Sequence, residues 1–451
     1  MDYQERLLRA IPGGAHTYSR GFDQFPSNAP QILERGEGAY VWDPEGRRFL
    51  DYGMGLRAVT LGYAYPSVAD AACEEIRKGN NLSRATMTEL EAAETIIDLI
   101  PGAEMVKFAK NGSNVTTAAA KVARSYTGRP YICVPRQHPF FSFDDWFIGS
   151  TPLKRGIPPQ HAQTTLVFDY GDIDSLKSLF DAYPDQIAGV MLEPATTVIP
   201  CPPVCRKELS YESSCASCNS NDGNFLRKVQ SLCKAHDTLF ILDEMITGFR
   251  WHLQGAQTYF GVEPDLSTFG KGMANGFSVA ALVGRREIMD VGSISKLGAE
   301  RTFLLSTTHG SEMSSLRAFI ETVKVYKEKN VCQHHWRFGE KLRTGLLELA
   351  REIGISDYFD IDGPAIAMNY VTRDTSGAVS MEFRTLFAQE MARNGVLMSW
   401  ISVSLNHEET ELHMTLEAAR KALQVYAVAL NDGVGQFLEG PAVKPVFRKY
   451  N

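Results

Sequence analysis

The sequence predicts an α/β protein, with a large domain on a mainly parallel sheet and a smaller α+β domain. Two observations lead there. Between about residues 100 and 290, short apolar runs alternate with longer amphipathic stretches, the pattern of a buried sheet covered on both faces. The last third instead carries long polar helical stretches and mixed short segments, and 451 residues exceed what one small core holds.

The strands of the large domain read as MVKFA (105–109), YICVP (131–135), AGVMLEP (188–194), LFILDE (239–244) and SVAALVG (278–284). VTTAAAKVARSYTG, IDSLKSLFDAYP and NFLRKVQSLCKAHD have helical spacing between them, and DLSTF reads as a short apolar turn before Lys271. AYVWDPEGRRFLDYG (39–53) has the form of a hairpin with Pro-Glu-Gly at its turn. Residues 313–351 are helical, and EETELHMTLEAARKALQVYAVAL forms a closing helix. This organisation assigns 54–315 to the large domain, with a cysteine-rich insertion at 201–223. Residues 1–53 and 316–451 form the small one.

Composition narrows the function classes. The formal net charge is -7, with both signs mixed and no Lys/Arg block, which argues against a nucleic-acid surface. The opening MDYQERLLRAIPGG lacks the apolar stretch of a secretory signal, and no run of about eighteen apolar residues occurs. A soluble, cytoplasmic chain is expected, with its eight cysteines as thiols or metal ligands.

Parallel sheets bind ligands beyond the carboxyl ends of their strands. Asp243 ends an apolar strand in ILDEMITGFR, and Lys271 lies between glycines in STFGKGMANG, where backbone can approach a ligand closely. A lysine and a buried carboxylate are two of the groups that pyridoxal phosphate requires. The carboxylate keeps the ring nitrogen protonated, and the lysine carries the Schiff base and moves protons. Taken bare, an aspartate ending a strand is commonly a helix cap, and Gly-Lys-Gly is commonly a solvated turn.

The segments together resemble the class III aminotransferases. IPGG (11–14), YVWDPEGRRFLDY (40–52), NGS (111–113), LDEMITGFR (242–250), PDLSTFGKGMANG (264–276) and TTHGSE (307–312) carry the resemblance over residues 1 to about 430. Within the family the chain is most similar to the glutamate-1-semialdehyde aminomutase-like subgroup. The resemblance implies the type I pyridoxal-phosphate fold and a cytoplasmic homodimer with shared active sites. Lys271 matches the Schiff-base lysine, Asp243 the pyridine partner and Met245 the residue packed on one ring face. Gly112 and Ser113 match the phosphate loop ahead of a helix N-terminus, and Phe140 takes the ring-stacking position. Thr308, or Thr307 in a register shifted by one, matches a threonine that reaches the partner subunit's cofactor phosphate.

Several positions depart from the family pattern. Ser-Gly-Thr/Ser-Glu has become Asn111-Gly112-Ser113-Asn114, and Tyr-His-Gly has become Phe140-Phe141-Ser142. Arg20 matches a position that binds the substrate carboxylate in the aminomutase. Arg57 follows Leu56, which replaces the aminomutase's active-site tryptophan, so the substrate side is rebuilt. The stretch DDWFIGSTPLKRGIPP lacks the Gly/Ser-rich lid of the aminomutase.

The implied reaction is amino transfer from an amino donor to a small or sugar- or nucleotide-linked aldehyde or ketone. Intramolecular exchange is the alternative, and a noncatalytic scaffold relative is the reading of another class. Separately, Cys201, Cys205, Cys215 and Cys218 supply four thiols in eighteen residues, a set suited to a structural zinc. The histidines form no constellation. The chain lacks the Gly-x-Ser-x-Gly elbow of the hydrolases and the Gly-x4-Gly-Lys-Ser/Thr of a P-loop.

Overall fold

The computed structural model describes residues 2–201, 209–213, 224–295 and 297–450. The chain divides into two compact units, Met1–Tyr65 with Gln333–Arg448, and Pro66–Cys332 with Lys449–Asn451. The divisions fall at 65/66 and 332/333, where sequence pattern put them at 53/54 and 315/316. The helix Met313–Lys329 stays with the second unit because one of its sides packs on the helix Pro66–Arg77.

In the first unit, β1 (Arg35–Glu37), β2 (Tyr40–Trp42) and β3 (Arg48–Asp51) form an antiparallel meander. The short strand Val396–Leu397 adds to β3 in parallel. The predicted hairpin is β2–β3, with Trp42 opposite Arg48. The closing helix, Glu409–Asp432, buries Leu412, Ala419, Leu423 and Tyr426 at helical spacing, in a core shared with Leu50, Tyr52 and Phe387.

The second unit carries a seven-stranded sheet. Its strands are β4 (Met105–Ala109), β5 (Tyr131–Pro135), β6 (Thr165–Phe168), β7 (Ile187–Leu192), β8 (Leu239–Asp243), β9 (Leu266–Phe269) and β10 (Ala280–Gly284). Their order is β4-β10-β9-β8-β7-β5-β6. β7, β8, β9 and β10 are buried at every residue, as expected of strands covered on both faces.

One sequence expectation needs correction. DLSTF is not a turn, because Leu266–Phe269 is β9, parallel to β8. The sheet is mainly parallel, as expected, and its one reversed strand is β10, antiparallel to both β9 and β4. The link 270–279 holds only a single 3-10 turn, too little for the crossover a parallel return needs. The strand β6 was not read from sequence at all.

Register then brings scattered sequence to one edge. Ala280 pairs with Ala109, Ala281 with Phe269 and Thr268 with Asp243. The chain therefore leaves β4, β8 and β9 at the same end of the sheet.

Candidate active site

Asp243 is the last residue of β8, with 2% of its surface exposed. Its Oδ1 accepts the Met245 amide at 2.9 Å and the Thr268 hydroxyl, from β9, at 3.1 Å. Burial pushes this carboxyl up to about 6, against the pull of the Met245 amide, the Lys271 charge and Thr268. Lys271 thus lies within electrostatic reach of Asp243. Lys271 opens the 3-10 turn Lys271–Ala274 at φ 43, one residue beyond Gly270.

Met245 ties these groups to the loop at Gly112. A Cβ built on Gly270 would lie 2.6 Å from the Met245 Sδ, and one on Gly112 would lie 2.9 Å from it. Both glycines thus touch the same thioether, and neither tolerates a side chain without moving it. Asn111 caps the sixteen-residue helix Gly112–Thr127, its side chain accepting the Asn114 amide at 3.1 Å. The free amides of that helix start favour an anion.

Ser113 is buried, and its Oγ accepts the Phe143 amide at 3.1 Å. Thr116 donates to the Phe141 carbonyl at 2.7 Å, and Thr117 and Ser142 share a 3.0 Å bond. The loop after β5 is thereby fastened to the helix Gly112–Thr127. Phe140 is 44% exposed and Phe141 2%, so within this loop the first ring is open and the second is core.

Other expectations fall differently. Thr308 and His309 are exposed, and Gly310 packs between Thr307 and the Phe108 carbonyl of β4. Arg20 is exposed and Arg57 half-buried, both in the first unit. Cys201 is buried, whereas Cys205, Cys215 and Cys218 lie outside the described residues. Among the described residues no group of three His, Cys, Asp or Glu could hold a metal.

Sequence reasoning missed Thr268, and it placed Glu244 beside Asp243 at the strand end without giving it a role. Glu244 is fully buried, pushed up to about 7 chiefly by desolvation. It accepts the Thr247 hydroxyl and the amides of Ala256, at 3.0 Å, and Gln257, at 2.7 Å. It thus pins the chain that follows Asp243. A second acid directly after Asp243 was the available signal. His138, read as scattered, is buried at the end of β5, where its Nδ1 accepts the Glu193 amide from the end of β7.

A strand-end aspartate, with a lysine in the turn after the neighbouring strand and a helix start at Gly112 beside them, is an arrangement that suits a pyridoxal-phosphate enzyme of fold type I. The family model Aminotransferase class-III matches residues 23–198 and 215–405, and the chain belongs to that family. It is 30% identical over 429 residues to the 3-aminobutyryl-CoA aminotransferase of Cloacimonas acidaminovorans (strain Evry), covering 94% of this chain and 96% of that protein. It is 29% identical over 444 residues to the glutamate-1-semialdehyde 2,1-aminomutase of Thermus thermophilus, covering 93% and 98%. Among solved structures it is similar to the FumI protein of Sphingopyxis sp. MTA144 in its PLP internal aldimine form. The TM-score there is 0.81 at 24% identity, covering 96% of each chain.

Proposed function

We propose that this chain is an intermolecular aminotransferase that holds pyridoxal phosphate on Lys271 and Asp243. It passes an amino group from an amino donor to a small or sugar- or nucleotide-linked aldehyde or ketone. The observation that carries the reading is the meeting of Lys271, Asp243, Met245 and Gly112 at one end of the sheet. The residues fit the cofactor. Both hydrogen bonds of Asp243 fall on Oδ1, which leaves Oδ2 for a ring N–H, and a helix start with a buried serine hydroxyl suits a phosphate dianion.

Bound there, the cofactor supplies a cationic ring that accepts the electron pair released at the substrate Cα. Asp243 stays ionised and keeps the ring nitrogen protonated. Lys271 would hold the cofactor, and its freed amine would take the proton from the substrate Cα and pass it to C4′, two atoms away across the nitrogen. Met245 would pack on one ring face and Phe140 on the other. Gly112 and Ser113 would hold the phosphate, and Thr308 would reach the phosphate of a partner copy in a cytoplasmic homodimer. Arg20 and Arg57 take the acidic group of the substrate. The zinc reading rests only on the spacing of Cys201, Cys205, Cys215 and Cys218, and metal analysis of purified protein tests it.

Intramolecular exchange is the second reading, favoured by identity to an aminomutase. Spectra separate the two. Adding an amino donor alone should convert the yellow cofactor to its amine form and release one keto product per site. Isomerisation of a single substrate with no released keto acid would favour the mutase. A colourless protein that takes up no cofactor would overturn both.

A further inference from the structure

β8 and β9 run parallel, and their register sets Thr268 directly opposite Asp243. Side chains paired in this way leave the same face of the sheet, so hydroxyl and carboxylate become neighbours by register alone. The Thr268 hydroxyl donates to the Asp243 Oδ1 at 3.1 Å, and the Thr268 carbonyl accepts the Glu244 amide at 2.8 Å. One residue of β9 thus holds both the carboxylate and the backbone that follows it. Thr268 is wholly buried, and its β-branch leaves few rotamers, which keeps the hydroxyl aimed.

A carboxylate turns broadly about its last side-chain bond unless its oxygens are held. Two donors hold this one, and both take the same oxygen, the Met245 amide at 2.9 Å and the Thr268 hydroxyl. The amide comes with almost any residue at 245, whereas the hydroxyl is particular to the side chain at 268. Every residue of β9 is buried, and there valine would have threonine's shape with no polar atom to satisfy. Packing alone therefore calls for no hydroxyl at this place.

The same bond acts on charge. Burial resists ionisation of Asp243, and the Met245 amide, Lys271 and Thr268 oppose that resistance. The other acid beside it is Glu244, which is occupied by the Thr247 hydroxyl and the amides of Ala256 and Gln257.

We propose that Thr268 is a positioning residue for Asp243, its hydroxyl setting the turn of the carboxylate and favouring the ionised form that accepts from the cofactor's ring nitrogen. This deepens the aminotransferase reading and rests on it for the identity of the cofactor. Without the hydroxyl, Asp243 keeps its own proton to higher pH, and in that form it no longer holds the ring nitrogen protonated.

Pyridoxal 5′-phosphate titrated into apoprotein of the wild type, Thr268→Val and Thr268→Ser tests the first half of this. Thr268→Val should weaken binding about tenfold, as expected for one hydrogen bond to a charged group, and Thr268→Ser should restore most of it. Urea unfolding of the same apoproteins tests the second half. The folded carboxyl lies above its unfolded value, so the wild type loses stability as pH climbs from about 4 to about 6. Thr268→Val should carry that loss about one pH unit further, because the folded carboxyl rises again. A valine that merely packs badly would lower stability equally at every pH. In Asp243→Asn nothing titrates at this position, so adding Thr268→Val should leave the profile unchanged. An unshifted profile in Thr268→Val overturns the proposal whatever the affinity, and a shifted profile with wild-type affinity overturns the positioning toward the cofactor. A wild type that takes up no cofactor sinks the aminotransferase reading instead, and the urea profiles still decide whether Thr268 governs Asp243.

Discussion

Asp243 leaves a regular strand in which every residue is buried, whereas Arg57 leaves a turn whose backbone is left-handed four residues running. Each holds its chain in place by different means. At the sheet edge, hydrophobic burial and ladder register place the carboxylate, and the cost falls on the charge, whose ionisation the interior resists. At the turn the cost falls on the backbone, about 1 kcal/mol for each residue other than glycine. The first arrangement suits a fixed cofactor, and the second fixes the path of a short stretch of chain.

The largest expected effect lies on the sheet edge. Lys271→Ala should lower kcat at least about 1000-fold, since it removes both the anchor and the proton carrier. Circular dichroism and the unfolding midpoint should stay near wild type, because the residue lies in a 3-10 turn outside the strands. Activity within tenfold of wild type would break the assignment.

Asp243→Asn sharpens the contrast, because its two consequences have opposite signs. The rate should fall about 100-fold, as a neutral side chain no longer fixes the ring proton. Cofactor-free protein should nonetheless gain stability. The carboxyl is raised from 3.8 to about 6, so the fold disfavours its ionised form. Wild-type apoprotein therefore loses stability as pH climbs from about 4 to about 6, on the order of 2 kcal/mol, and the variant does not. Urea unfolding of both apoproteins at pH 4 and pH 7.5 checks this. The gap should be present at the higher pH and close at the lower. A variant less stable at pH 7.5 would mean that Asp243 supports the fold more than it burdens it.

The two regions also differ in how far sequence announced them. The run YICVP is β5 to the residue, because a strand buried on both faces is written as a continuous apolar run; MVKFA is β4 to the residue too, although exposed Lys107 interrupts it and only Ala109 is buried. Asp243 ends such a run, whereas Lys271 follows DLSTF, which reads as a turn, so both were singled out mainly by the family resemblance. Thr268 was not, because a threonine inside DLSTF looks like part of a turn until β9 pairs with β8 and sets it against Asp243. The reversed direction of β10 was hidden too, since apolar runs carry no sign of direction. At 54–57 the sequence Met-Gly-Leu-Arg offers one glycine for four left-handed positions, so local preference argues against the conformation that tertiary contacts impose. The resemblance marked Arg57 as a departure without any hint of the backbone beneath it.

Smaller effects are expected where the glycines meet Met245. In Gly270→Ala the new Cβ would sit 2.6 Å from the thioether sulfur and 3.3 Å from its methyl, so Met245 must swing away. Overpacking of this kind costs about 1–3 kcal/mol. Cofactor affinity should fall about tenfold, and the double variant Gly270→Ala with Met245→Ala should recover part of it. Absence of recovery would mean that Gly270 serves the backbone rather than the contact.

Ser113→Ala is the smallest change and separates two roles of one hydroxyl. The Oγ accepts the Phe143 amide at 3.1 Å, so its loss should destabilise the apoprotein by about 1 kcal/mol, with no cofactor involved. If the hydroxyl also meets the phosphate, the dissociation constant of the cofactor should rise about fivefold beyond that structural loss. Ser113→Thr keeps the hydroxyl and should restore the affinity to the extent that the extra methyl fits a position only 4% exposed. Equilibrium binding of the cofactor and urea unfolding, measured on the same three proteins, distinguish the roles. An Ala variant with lowered stability and wild-type affinity confines Ser113 to tying the loop after β5 to the helix, and leaves the phosphate to the backbone amides from Gly112 onward.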